Sequence, residues 1–299
     1  MRTFAAFFAP ILLGFAAIAL LAYPLWSLLG HWWDLPFHRV ASRLGELVLV
    51  AGLVFVARRM GVGDRASLGY GLPRPLFLRE LGIGLALGVA TMLPIVLAMF
   101  AFGLREPRAG TTLGLATLAP LAAVGVVRGL AVGFLEETLM RGAMYTGIRR
   151  EAGVGLTILL TSVLYACGHF FGSARIPAEL VGPGSGIDIL GGFLARFGQP
   201  LQIADAFLAL AAVGALLGMV RTITGNIAAC IGLHAGWVWI ITFVREMSQP
   251  NEASPLRFLI SQFDGVVGWL VLAWTLVIGA VLATFYRRRA LAAAVQPAA

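Results

Sequence analysis

The sequence predicts an all-α polytopic membrane protein of about eight transmembrane helices with a buried intramembrane site, on three observations. The chain of 299 residues is 60% hydrophobic and only 12% charged. Its mean hydropathy of +0.91 lies well above the level of a soluble domain. The apolar runs follow one another too closely to leave room for a folded extramembrane unit, so residues 1–299 are read as one membrane domain. Within those runs stand a few isolated ionisable groups, and these mark the candidate site.

The spans come in order at about 4–30, 43–58, 80–103, 121–148, 155–172, 203–222, 224–244 and 265–286, most near the ~20 residues that cross a bilayer. The first run is too long for a signal-peptide core and is expected to remain in place. The second is short, and residues 111–120 are read as a separate interfacial turn before the fourth. Eight spans put both termini on one side. Placing the N terminus inside puts thirteen arginines on that side, from Arg2 to Arg287–Arg289, against eight on the other. Both termini are therefore expected to be cytoplasmic. The expected location is a bacterial inner membrane, an all-arginine basic set pointing to a GC-rich genome.

Small-residue stripes predict where helices pack closely: Gly84 with Gly88, Gly125 with Gly129 and Gly133, Gly214 with Gly218, and Gly232 with Gly236. Continuing the fourth-span stripe four residues at a time leads from Gly133 to Glu137 and Arg141, which places that pair on the packed face. Glu136 is rotated about 100° away and can face something else.

The net charge of +8 comes from arginine alone, scattered through short loops. That distribution reflects the positive-inside bias of membrane loops and argues against nucleic acid as a partner. Cys167 and Cys230 lie singly in apolar segments and read as small buried hydrophobes, with no disulfide framework and no soft-metal site. The loop from Gly172 to Asp205 contains "GPGSG" at 182–186. No Gly-Lys-Ser/Thr follows it, so it reads as a flexible external loop or cap rather than a phosphate cradle.

The chemistry rests on the segment "GFLEETLMRG", residues 133–142, together with His169 in "YACGHFF" and His234 in "IGLHAGWVW". Glu136 lies 13 residues before Arg149, His169 14 after Gly155, and His234 13 after Arg221. At 1.5 Å per residue each sits roughly 20 Å along its helix from the same boundary, so the three can meet. Glu137 and Arg141 at i and i+4 can neutralise each other and hold the packing, and a lone intramembrane histidine can simply bond across helices. An unpaired Glu136 is harder to explain by packing, because intramembrane ionisable groups usually mark function. A buried carboxylate bonded to a neutral imidazole can take a proton from water and direct that water at a carbonyl. A second imidazole can then stabilise the oxyanion. One Glu and two His are equally a zinc set with an open fourth position, and spacing leaves metal open.

These segments resemble the intramembrane proteases of the CAAX-processing and bacteriocin-processing group, called CPBP or Abi. The family pattern is Glu-Glu-x-x-x-Arg, then Phe-x-x-x-His, then His-x-x-x-Asn/Asp, on separate helices of a largely eight-helix membrane fold. The chain has "EETLMR" at 136–141, "YACGH" at 165–169 and "HAGWV" at 234–238, within a core of about 120–245. The resemblance implies an endopeptidase acting on a peptide or lipidated protein in the lipid bilayer, prenylated CAAX tails being one substrate type. It implies Glu136 as general base, His169 orienting the water, His234 donating to the oxyanion, and Glu137 with Arg141 as the supporting pair. Both metalloprotease and metal-free glutamate mechanisms are ascribed to the family. The expectation taken is no metal, with Glu136, His169 and His234 as the ligands if zinc is present.

Two residues depart from the pattern. Tyr165 replaces Phe on the face of His169, where its hydroxyl can add a hydrogen bond. Val238 replaces the Asn or Asp, and a valine cannot donate to an oxyanion. Losing such a donor typically costs about a hundred- to a thousandfold in rate. Either the indole of Trp237 or Trp239 substitutes, or the protein is a slow or specialised enzyme. The alternatives from other classes are a non-catalytic binding or immunity scaffold and a proton-coupled transporter that retain the same polar groups.

Overall fold

The computed structural model describes residues 2–111, 114–171 and 175–295, and their side chains up to residue 286. Residues 172–174, where the predicted external loop begins, lie outside the described residues, as do the side chains of Arg287 to Arg289. The protein is an all-α, multi-pass integral membrane protein. Seven helical segments among the described residues are long and apolar enough to cross a bilayer.

The helices run α1 (Arg2–Leu29), α2 (Phe37–Arg59), α3 (Arg74–Ala101), α4 (Leu115–Glu137), α5 (Tyr145–Arg149), α6 (Val154–His169), α7 (Ser185–Leu194), α8 (Pro200–Thr224), α9 (Ala228–Met247) and α10 (Trp269–Val295). A π-helical segment, Thr138–Met144, joins α4 to α5, so that one continuous rod of 35 residues spans Leu115–Arg149. The expected interfacial turn before the fourth span is instead partly its first helical turn. The predicted fifth span is the exception in length. At 16 residues, α6 rises about 24 Å, short of a ~30 Å hydrocarbon layer.

The glycine stripes pack as expected, because only a missing Cβ lets two backbones approach this closely. A methyl on Gly84 would stand 2.5 Å from the carbonyl of Ala229, and one on Gly88 2.5 Å from that of Leu233. Both residue numbers rise together, so α3 and α9 run parallel. On the other side of α9, Gly125 faces Trp239, Gly129 faces Ala235 and Gly133 faces Ile231, which sets α4 antiparallel to it. Gly214 and Gly218 back onto Ser162 and Ile158, pairing α8 with α6. The result is α9 held between α3 and α4.

The seventh span, predicted at 224–244, begins a few residues later and runs as α9 over Ala228–Met247. Gly225 ends α8 at φ +68°, a left-handed position that glycine takes without strain. The Ala228 amide then donates to Asn226 Oδ1 at 2.9 Å, opening α9. His234 is thus six residues into its helix, so its depth along α9 is less than the thirteen residues counted from Arg221. Residues 178–198 form α7 and two 3₁₀ turns rather than a plain loop. Gly186 of α7 presses on the carbonyls of Ile18 and Ala19 of α1.

At the far end of α3 and α9, β1 (Arg105–Pro107) and β2 (Ser248–Pro250) pair antiparallel, Arg105 opposite Pro250. Arg105 is buried. It donates to the Ser248 hydroxyl at 2.9 Å, to the Ser248 carbonyl at 2.7 Å and to the Gly265 carbonyl at 2.5 Å. Desolvation pulls the pKa of this guanidinium below the usual arginine value, and the carbonyl dipoles retain the charge. These bonds pin residues 261–267 over the end of the helix pair.

Candidate active site

The π-helical segment sets the site's geometry. Its wider turn leaves backbone groups to be satisfied from outside, and the Arg141 carbonyl accepts from Arg221 Nε of α8 at 2.9 Å. Gly142 admits the Leu68 carbonyl 2.9 Å from where a Cβ would stand. The Arg141 guanidinium is fully buried. It donates to Glu137 Oε1 at 3.1 Å and to the Gly214 carbonyl at 2.9 Å, and lies 4.7 Å from the Tyr165 ring centre.

Glu137 does more than pair with Arg141. The same Oε1 is 2.8 Å from His234 Nδ1, while Glu136 Oε2 stands 4.0 Å from His234 Nε2. The imidazole thus lies between two adjacent carboxylates, one sealed at 0% side-chain exposure and one 33% exposed. A carboxylate only accepts, so Nδ1 carries a proton toward Glu137. The contact was readable in outline: Gly232 and Gly236 bracket His234, and Gly125, Gly129 and Gly133 lead to Glu137, so both residues lie on packed faces.

His169 closes α6, and its Nδ1 lies 2.9 Å from the Tyr165 carbonyl. A carbonyl accepts, so Nδ1 carries the proton and Nε2 of the neutral ring presents a lone pair. The Tyr165 ring centre is 4.6 Å from that of His169 and 6.0 Å from that of His234. Among the described residues Tyr165 meets the site through its ring, and no hydrogen bond of the anticipated kind accompanies its hydroxyl.

A cavity of about 460 Å³ opens beside these rings, lined by Tyr165, His169, His234 and Val238, with Met92, Ile95 and Ile241 among its apolar wall. Glu136 is not among the lining residues; it reaches the site through His234. Val238 occupies the wall one turn beyond His234, where the motif's polar side chain would stand. Neither tryptophan replaces it. The Trp237 indole donates to the Thr91 hydroxyl at 3.0 Å, and Trp239, whose indole nitrogen is buried without a partner, packs on Gly125 outside the cavity.

Among the described residues no group of three or more His, Cys, Asp or Glu is close enough to hold a metal ion. The Nδ1 atoms of both histidines are engaged by Glu137 and the Tyr165 carbonyl, which leaves Nε2 of each ring facing the site.

Residues 118–240 match the family model of the type II CAAX prenyl endopeptidases, described as Rce1-like. That agrees with the resemblance drawn from the three motifs, all of which fall inside the matched stretch. No curated protein and no solved structure gives a match in the same comparisons. The Rce1-like stretch also includes a residue that the motifs did not point to. Arg128 lies inside α4 between Gly125 and Gly129, and its side chain lines the cavity. Among the described residues it has no hydrogen-bond or ion-pair partner. An arginine at a helix centre costs about 2.5–3.5 kcal/mol on insertion scales, and that cost was the available signal.

Proposed function

We propose that the protein is an intramembrane endopeptidase that hydrolyses a peptide bond with a water activated by Glu136, acting on a peptide or lipidated protein of the CAAX type. The observation that carries this reading is the His234 imidazole held between Glu137 and Glu136 at the wall of a cavity. A water bonded at ~2.8 Å to both Glu136 Oε2 and His234 Nε2, with a right angle between the two bonds, fits their 4.0 Å separation.

In this mechanism Glu136 takes a proton from the water, and the bare Nε2 of His169 accepts the water's other hydrogen bond and aims its oxygen. The oxygen adds to the scissile carbonyl. With both ring nitrogens protonated, His234 donates from Nδ1 to Glu137 and from Nε2 to the developing oxyanion. Glu136 and Glu137 balance Arg141 and an imidazolium before the transfer, and Glu137 and the oxyanion balance them after it, so the buried cluster carries no net charge throughout. The C–N bond breaks, the proton on Glu136 passes to the leaving amine, and the products are a carboxylic acid and an amine. No step requires a metal. The sealed Glu137 and Arg141 beyond His234 argue against a continuous polar path of the kind a transporter needs.

The test uses full-length protein in proteoliposomes with a prenylated peptide carrying a Cys-aliphatic-aliphatic-X tail. Glu136→Ala should abolish turnover with an unchanged melting temperature, and prior dialysis against a chelator should leave wild-type turnover intact. Unchanged cleavage by Glu136→Ala would sink the assignment, and loss on chelation would sink the metal-free step.

A further inference from the structure

We propose that Arg128 is the subsite for a free C-terminal carboxylate on the substrate, three to four residues beyond the scissile bond. The inference deepens the proteolytic reading and rests on it. Arg128 presents an exposed side chain, whereas the buried Arg141 and Arg221 near the site donate to Glu137 and the Gly214 carbonyl, and to the Arg141 carbonyl, respectively. Arg128 has no partner among the described residues, although it lies on a membrane-crossing helix and lines the cavity that His169 and His234 also line. A planar guanidinium with its donors free is matched by a carboxylate, which it can hold through two parallel bonds.

The helix supplies the ruler. Arg128 and Glu136 are eight residues apart on the regular part of α4, hence about 12 Å along its axis. An extended peptide covers about 3.3–3.6 Å per residue. A carbonyl placed at Glu136 and His234 therefore puts a carboxylate three to four residues later level with Arg128. Between them the cavity wall offers Met92, Ile95, Val238 and Ile241, a surface for aliphatic side chains. This wall would receive the aliphatic tail of the CAAX-type substrate proposed above, and Arg128 its terminal carboxylate. Glu246 lines the same cavity and likewise has no partner among the described residues, so it is the internal competitor for Arg128.

The experiment compares prenylated peptides with three aliphatic residues after the cysteine, as the free acid and as the C-terminal amide, in proteoliposomes of the full chain. Wild-type protein should favour the acid in kcat/KM by about ten- to a hundredfold, the range of a charge-assisted contact. Arg128→Gln should bring that ratio close to one, and Arg128→Lys should retain part of it. Binding of the aliphatic tripeptide acid and its amide, followed by calorimetry, provides a second reading that needs no turnover. The acid preference should persist in Glu136→Ala and vanish in Arg128→Gln. Failure of the catalytic reading is thereby separated from failure of this one. The proposal is overturned if wild-type protein shows no acid preference in binding, or if Arg128→Gln keeps the preference. It is also overturned if Arg128→Gln loses both peptides equally and melts early together with Glu246→Gln, the signature of a structural ion pair.

Discussion

His234 touches both members of the Glu-Glu pair, and this explains why two adjacent carboxylates stand in one span. Glu137 fixes the ring and Glu136 faces the exposed side of it. The sequence separated the two by rotation about the helix and paired Glu137 with Arg141, which the structure bears out. It did not show that one oxygen of Glu137 serves Arg141 and His234 together, because an i to i+4 partner already accounted for that carboxylate. The same scale carries the most direct test of Val238. Its side chain lines the cavity one turn from His234, so Val238→Asn places an amide donor where an oxyanion would form. We expect kcat to rise about tenfold or more at similar KM, since a donor of this kind is worth up to about two to three powers of ten. An unchanged kcat would show that the oxyanion is met elsewhere on the wall.

Among the elements, α9 owes its position to glycines on both neighbours. Gly88→Ala would drive a methyl to within 2.5 Å of the Leu233 carbonyl and 3.0 Å of the Gly236 Cα. Backbone cannot rotate away, so a loss of about 1–3 kcal/mol is expected from overpacking, read as earlier melting together with reduced turnover as His234 shifts. Gly191→Ala on α7, with nothing within 4 Å of the added methyl, is the control and should be neutral or slightly stabilising. The stripes were legible because a four-residue repeat of glycine has few other uses in an apolar helix. The π-helical segment was not legible, since "TLMRGAM" has the composition of ordinary helix. It is imposed by neighbours: Leu68 against Gly142, Tyr70 on the Thr138 hydroxyl at 2.6 Å, and Arg221 on the Arg141 carbonyl.

In the whole molecule the packing directions agree with the predicted topology. The parallel run of α3 and α9, with α4 antiparallel, puts the β1–β2 ribbon and residues 261–267 on one side and the α8–α9 turn on the other. If the arginine bias sets the orientation, a C-terminal fluorescent-protein fusion should glow and a C-terminal periplasmic phosphatase fusion should be silent. The reverse pattern would invert the molecule. The order of the apolar helices came from hydropathy, but of the eight predicted spans seven have membrane-crossing length among the described residues, because the turns that bound α6 and α9 are set by packing against other helices rather than by polarity. The short α6 has a mechanical consequence. Lipid around a helix of about 24 Å has to thin or dimple to meet its end, and His169 sits at that end. Thinned lipid at that end brings the hydrated headgroup layer toward the His169 end of α6, so a bilayer of shorter acyl chains needs less distortion to match this helix.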